Sequence, residues 1–397
     1  MAWKMMSVMD QRREFVRLAS CGAVSLSELC RRFGISRDTG HRLLRCYRAA
    51  GDDGLADRSR RPHESPRRVA AAMESLVLKL REEHPAWGGR KIARRLADLG
   101  HSGVPAPSTV TAVLRRHGRL DATHSARHRA FHRFERAAPN ELWQMDFKGH
   151  FALDQGRCHA LTTLDDHCRY ALGLRACADE QDATVRQQLT ALFRRYGLPD
   201  AILADNGSPW GSAGHPQARY TALGVWLMQL GVDLRHGRPR HPQTQGKEER
   251  FHRTLDIELL QHNRFADLAT CQRAFDRWRR IYNEERPHEA LGLAVPASRY
   301  QPSARSYPET MPAPDYAAGD RLRRVTADGY INFGNRKHKM SQAFAGQVVA
   351  VRPTGQEQAW TVFFSRFAVA QIDLGDRKTE QQPVRHVSEQ VSVLSPV

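Results

Sequence analysis

Ala201-Ile202-Leu203-Ala204-Asp205-Asn206-Gly207 is the stretch that decides the fold. Four apolar residues closed by a turn pair read as a short strand buried on both faces, as in a sheet covered by helices. An acid at the C-terminal end of such a strand stands where α/β sheets place their working groups. Strand and helix patterns alternate around it. Upstream, residues 142–153, 160–164 and 170–177 read as strands, with Gly156 turning the first into the second. Residues 182–196 read as an amphipathic helix, with Val185, Leu189, Leu192, Phe193 and Tyr196 on one side, stopped by Gly197-Leu198-Pro199. Downstream come a helix at 220–230, an edge strand at 233–235, a long helix at 246–261 and another at 265–282. The sum is a mixed α/β layer architecture.

The chain has 397 residues, room for two or three domains at about 150 residues each. Its 41% hydrophobic content supports real cores, and its composition excludes an acidic disordered chain or a collagen-like fibre. Hydropathy predicts no membrane span, and residues 1–10 lack the apolar segment of a signal peptide. The seven cysteines include no CxxC and read as reduced residues of a cytoplasmic, nucleoid-associated protein. Formal charge is +18, of which residues 1–140 carry +14. Basic excess concentrated in one third of a chain points to a polyanion, most commonly nucleic acid.

That basic third reads as two helix-turn-helix units, at 1–65 and 66–125. In the first, Ser25 caps one helix, Gly34-Ile35-Ser36 turns, and Ser36 caps a second helix. That second helix offers Arg37, Thr39, His41 and Arg42 to DNA. Arg58, Arg60 and Arg61 follow in a polar stretch suited to a phosphate backbone. In the second unit, Pro105-Ala106-Pro107-Ser108 leads into a helix carrying Ser108, Thr109, Thr111, Arg115 and Arg116 as further DNA contacts. Residues 126–140 form a basic linker to the α/β region at 141–290. A Pro-rich linker spans 291–317. Short strand patterns at 318–375 predict a small β-barrel with a basic edge of Arg321, Arg323, Arg324, Arg336, Lys337 and Lys339, and 376–397 is a polar tail.

No GxSxG elbow, phosphate loop or zinc-finger spacing occurs. Three acids stand out instead. Asp146 lies mid-strand in Trp143-Gln144-Met145-Asp146-Phe147, Asp205 ends the strand quoted above, and Glu249 lies one turn into a helix in Gly246-Lys247-Glu248-Glu249-Arg250-Phe251-His252-Arg253-Thr254-Leu255. A mid-strand carboxylate is costly unless it is paired or bound to a cation. Oxygen ligands of this kind suit Mg²⁺ or Mn²⁺, and two such ions serve phosphoryl chemistry. At about 100° per residue, Glu248 falls on the side of Phe251 and Leu255, and Glu249 falls with Arg253 and Asp256. Lys247 and Arg253 flank the acid as candidate DNA contacts.

With the flanking text, the chain resembles bacterial insertion-sequence transposases that have a retroviral-integrase-like core, a branch of the DDE polynucleotidyl transferases. The matching pieces are Trp143–Phe147, Leu203-Ala204-Asp205-Asn206-Gly207-Ser208-Pro209, His241-Pro242-Gln243-Thr244-Gln245 running on to Leu255, and Tyr282-Asn283-Glu284-Glu285-Arg286-Pro287-His288. The resemblance implies a ribonuclease-H-like five-stranded core with Asp146, Asp205 and Glu249 as catalytic, metal-binding acids. It also implies two Mg²⁺ or Mn²⁺ ions, double-stranded DNA (transposon ends and target) as partner, and a homo-oligomer working on DNA. The Asp205–Glu249 gap is longer than in the best-known retroviral integrases, with the extra residues expected in the loop at 211–220. The zinc-binding HHCC module of those integrases is absent. Three functions stay open on sequence alone: DNA strand transfer, DNA binding with a dead core, and metal-dependent cutting without joining.

Overall fold

The computed structural model describes residues 7–57, 68–120, 135–211, 220–237, 246–356, 358–375 and 379–381. It divides into two compact units, Met1–Arg68 and Val69–Val397. Arg58, Arg60, Arg61, the 212–219 loop, the motif from His241 to Gln245, most of the basic linker and the tail lie outside the described residues.

The first unit holds α1 (Val8–Ser20), α2 (Leu26–Arg32) and α3 (Arg37–Ala50). A serine opens each helix. Ser7 forms a reciprocal capping box with Asp10, and Ser25 and Ser36 accept from the backbone N–H of Glu28 and Thr39. Phe15, Val16, Leu29, Cys30, Leu43 and Leu55 make the core. Gly40 lets α3 approach closely, because a Cβ there would stand 2.5 Å from Cys30 Sγ and 3.0 Å from Phe15 Cζ.

The second unit begins with α4 (Ala71–Glu83), α5 (Gly89–Asp98) and α6 (Pro107–Arg116). The last of these starts at Pro107 itself, whose fixed φ suits a first helical position. The five-stranded sheet follows: β1 (Trp143–Ala152), β2 (Arg157–Asp165), β3 (Ala171–Cys177), β4 (Ala201–Ala204) and β5 (Asp233–His236), in the order β3-β2-β1-β4-β5. The first three strands form an antiparallel meander, and β4 and β5 run parallel to β1.

Helices α7 (Asp182–Tyr196) and α8 (Ala222–Gln229) pack on Trp143, Met145 and Ile202 from one face. Helices α9 (Gly246–Glu258) and α10 (Leu268–Glu284) pack on Cys158, Ala160 and Leu164 from the other. This is the mixed α/β layering that the sequence patterns predict, in the ribonuclease-H-like layout that the resemblance implies. α10 starts later than the periodicity suggests because Asp267 caps it, its Oδ1 accepting from Thr270 N at 2.7 Å.

Two segments expected to stand apart lie on the core. Ile281 of α10 joins the apolar cluster of α4–α6. In the Pro-rich stretch, Tyr300, Tyr307 and Met311 pack against the α7–α8 cluster, and Arg305 donates to the carbonyls of Pro199, Leu230 and Gly231. This stretch is therefore a strap over the core.

The C-terminal strands are β6 (Arg321–Arg324), β7 (Tyr330–Phe333), β8 (Arg336–Lys339), β9 (Val348–Pro353), β10 (Ala359–Phe364), β11 (Phe367–Asp373) and β12 (Thr379–Gln381). They form an antiparallel sheet in the order β12-β11-β10-β9-β6 and a β7–β8 hairpin. Their core takes in Val225 of α8, with Tyr220 and Met228 packed against it, and Tyr220 Oη donates to Val369 O at 3.0 Å. α8 is apolar on all sides because it is buried on two: Leu223 and Leu227 face the central sheet while Val225 faces the C-terminal one. Among the described residues no helix is long and apolar enough to cross a membrane.

Removing residues 318–397 uncovers Val225, Tyr220 and Met228. The truncated chain is expected to bind a hydrophobic dye and to melt several degrees lower, about 1–3 kcal/mol for each large apolar side chain exposed. A melting scan beside a truncation that also carries Val225→Ser and Met228→Gln checks this, since the polar replacements should restore solubility but not the missing stability.

Candidate active site

Strands β1 and β4 run side by side and parallel, with Trp143 beside Ile202 and Gln144 beside Leu203. Continuing that register by two residues brings Asp146 beside Asp205. The two acids therefore share the edge where the antiparallel meander gives way to parallel strands, the place where an α/β sheet opens toward a ligand. They also share the face toward α9, because Gln144, Asp146 and Lys148 alternate with the inward Trp143, Met145 and Phe147 on β1.

Burial first, and then the charge of Asp205, push the Asp146 carboxyl up to about 7; Glu180 and Glu249 add to the rise, and a backbone hydrogen bond at Phe147 opposes it. Asp205 is raised as well, by burial and then by Glu180, against the Gly207 N–H, which donates to Oδ1 at 3.2 Å, and against His236. The nearest cations are engaged elsewhere. Lys148 pairs with Asp256 at 2.8 Å, and Lys247 pairs with Asp166.

The two adjacent glutamates of α9 part company. Glu248 is buried beside Phe251 and Leu255, while Glu249 and Arg253 are exposed. Thr162, the cross-strand neighbour of Asp146, lies 3.0 Å from Glu248 Oε2 and 2.9 Å from His252 Nε2 through its hydroxyl, which also bonds the Asp146 carbonyl. Glu248 Oε1 has no hydrogen-bond partner among the described residues. Burial, then Asp146, raise the Glu248 carboxyl well above its usual range, and burial pulls His252 down to about 4. Among the described residues no three His, Cys, Asp or Glu side chains close into a metal cage. The donor chemistry nevertheless fits a hard divalent cation: two aligned carboxylates that repel each other, with a third exposed carboxylate on the neighbouring helix.

Sequence reading missed Glu180. It stands just past β3, half-buried, with His159 Nδ1 2.8 Å from its Oε1, and its charge reaches both Asp146 and Asp205. Its only signal was position, an acid between the end of a strand and the start of a helix, as Asp205 follows β4.

The expected DNA contacts fall into two groups. On α3, Arg37, His41 and Arg42 are exposed, as is Arg45, while Thr39 is drawn into the Ser36 cap. The arginines of α1 and α2 are spent on internal pairs, Arg12 with Asp57, Arg13 with Asp52, Arg17 with Glu14, and Arg31 with Glu28. On α6, Ser108, Thr109 and Arg115 are exposed. Thr111 Oγ1 instead bonds Pro107 O and lies against Gly89, and Arg116 pairs with the buried Glu74. Lys247 is mostly buried in its pair with Asp166.

Four family models match the chain. Two, both described as integrase core domain, cover residues 136–242 and 230–296. A homeodomain-like domain covers 10–114, and the C-terminal domain of IS481 family transposases covers 320–380. The two integrase-core models together span residues 136–296, the region that holds Asp146, Asp205 and Glu249. The "Insertion element IS407 uncharacterized 31.7 kDa protein" of Burkholderia multivorans is 29% identical over 40% of this chain and 55% of its own length. The "Insertion element IS476 uncharacterized 39.2 kDa protein" of Xanthomonas euvesicatoria is 30% identical over 40% of this chain and 44% of its own length. The chain spans about half the length of these two relatives. The "Transposase for transposon Tn552" of Staphylococcus aureus is 23% identical over 96% of this chain and 87% of its own length.

The raised Asp146 makes the ion-free protein pH-sensitive. Its folded value is about 7 against an ordinary 3.8, so between those values the folded state holds a proton that the unfolded chain has released. Stability from this group falls as pH rises through that window and is lowest above it. Asp146→Asn is expected to flatten the slope and to stabilise the metal-free protein near pH 8 by on the order of 1–2 kcal/mol, after allowance for solvent screening. Denaturant melts in chelator at about pH 5 and pH 8 measure it, and equal slopes for the two proteins would refute it.

Proposed function

We propose that the protein is a DNA strand transferase that binds the ends of an insertion element, cuts them and joins them to target DNA. The observation that carries this reading is the register of β1 and β4, which aligns Asp146 with Asp205 on the face that α9 covers with Glu249 alongside. Asp146 and Asp205 would hold one divalent cation between them, and Glu249 would complete a second position. When bound, such ions supply Lewis acidity at the scissile phosphate and favour both the attacking and the leaving oxygen.

The protein's own part is to place and to exclude. The paired carboxylates sit in a half-buried floor, where their charge acts more strongly than it would in open water. Arg253, exposed on the same side of α9 as Glu249, and the exposed Arg250 beside it provide positive charge for the DNA backbone. Water opens the phosphodiester and leaves a 3′-hydroxyl. That hydroxyl then attacks a phosphate of target DNA, its proton passing to solvent as the displaced strand end leaves with its own hydroxyl. No Ser, Tyr or Cys nucleophile is required. Joining two ends at once asks for at least two copies of the chain on DNA.

Asp146→Asn, Asp205→Asn and Glu249→Gln are each expected to lower end cleavage and strand transfer by at least about 10³-fold, the equivalent of several kcal/mol, while DNA affinity holds. Radiolabelled end substrates read both steps in one gel. A fully active Glu249→Gln protein beside an inactive Glu248→Gln protein would move the third acid by one residue. Wild-type cutting without joining would reduce the reading to a nuclease.

The exposed cations of α3 are proposed to sit on the phosphates of the element end. Replacing Arg42 and Arg45 by Ala is expected to shallow the salt dependence of end binding by about 0.9 in log–log slope for each phosphate no longer neutralised. Fluorescence anisotropy across a salt series measures this; an unchanged slope would place DNA elsewhere on the first unit.

A further inference from the structure

Asp166 lies just beyond β2, opposite Leu142, and its side chain is almost fully buried. Three different parts of the chain converge on it. Gln144 of β1 donates Nε2 to Oδ1 at 2.6 Å, Lys247 in the first turn of α9 forms an ion pair with the same oxygen, and Arg136 N donates to Oδ2 at 3.0 Å. Lys247 also reaches the Asp166 carbonyl at 3.2 Å. Gln144 lies two residues before Asp146 on the same face of β1, and Lys247 two residues before Glu249. Two residues after Asp146, Lys148 pairs with Asp256 at 2.8 Å, two turns along α9. Helix α9 is thus tied to β1 on both sides of Asp146.

We propose that the Asp166–Lys247 pair is a positioning latch, which fixes the first turn of α9 against β1 and so sets the place of Glu249 relative to Asp146 and Asp205. The inference rests on the reading of these three acids as the metal-binding set. Neither latch residue touches substrate; both act through Glu249. Without the pair, the first turn of α9 keeps only the hydrogen bond between Glu248 and the Thr162 hydroxyl, while the apolar anchors Phe251 and Leu255 and the Lys148–Asp256 pair lie further along the helix and leave its start freer to shift. Partners that orient a metal-binding carboxylate typically change metal affinity or activity by about 10–100-fold when removed.

The test uses full-length Asp166→Asn, Lys247→Met, the double variant, and Asp166→Asn combined with Glu249→Gln. Mn²⁺ binding is followed by titration calorimetry, which needs no turnover, and DNA end cleavage is followed against Mg²⁺ concentration. Each single change is expected to weaken Mn²⁺ binding at one site about 10-fold or more and to lower kcat while KM for DNA stays within about twofold. The double variant should be no worse than the worse single one. In the Glu249→Gln background, Asp166→Asn should change Mn²⁺ affinity no further. If Asp166→Asn does not fold, Lys247→Met, which keeps the bulk of the side chain, carries the same comparison. A folded variant with wild-type Mn²⁺ affinity, or an equal loss with and without Glu249, overturns the latch. A Glu249→Gln protein that binds Mn²⁺ like the wild type overturns the assignment of the acids themselves, and the latch with it.

Discussion

Two like charges held side by side in a sheet are the constraint on which the rest of this structure depends. Parallel pairing of β1 with β4 leaves no freedom over where Asp146 and Asp205 meet, since the register that aligns Trp143 with Ile202 aligns the acids three residues later. β4 is buried along its whole length, and α7, α8, α9 and α10 cover the two faces. The repulsion is tolerable only because the surroundings are over-determined by packing. Trp143, Phe193, Trp226, Phe251 and Phe275 fix the strands and helices whether or not the carboxylates are comfortable.

The chain also shows that it can satisfy a buried acid when nothing else is asked of it. Asp165 is fully buried, and it accepts from the backbone N–H of Asn140 and of Cys168 at 2.7 and 2.9 Å. Asp166 receives a lysine, an amide and a backbone N–H. In the same sheet, Asp146 and Asp205 are given hardly more than one backbone hydrogen bond each, and both carboxyls rise. The contrast in hydrogen-bond donors lies within one sheet and one class of side chain. The difference is in which acids are supplied with donors.

Much of this was legible in the sequence because the signals are local. Ala201–Ala204 reads as a buried strand from four apolar residues and a turn, and the serine caps of α2 and α3 stand in the text. The 100° step of a helix separates Glu248 from Glu249, and the structure places the first inside and the second outside. What was not legible is long-range. The seat of the C-terminal sheet on α8 had one hint, a helix apolar on every side. The docking of Ile281 against α4–α6, and the strap formed by Tyr300, Arg305 and Tyr307, have no periodicity to betray them. Asp165-Asp166 looks like an ordinary polar turn until Lys247, eighty-one positions on, is found beside it.

These long-range contacts share a logic. α9 carries three kinds of side chain on one short cylinder: Phe251 and Leu255 toward the sheet, Glu249 and Arg253 toward solvent, and Lys247 and Asp256 toward partners on or beside β1. The apolar pair fixes how far the helix stands from the sheet, but by itself leaves it free to slide along its axis or roll. Charged pairs that flank Asp146 on both sides remove those two freedoms, because each demands a particular distance and direction. A metal-binding carboxylate on a helix is only as well placed as the helix is, and tolerances at such sites are fractions of an ångström. The polar ties therefore serve precision more than stability. A buried ion pair contributes little net stability once desolvation is counted, and geometric definition is what these pairs add to a helix already anchored by its apolar face.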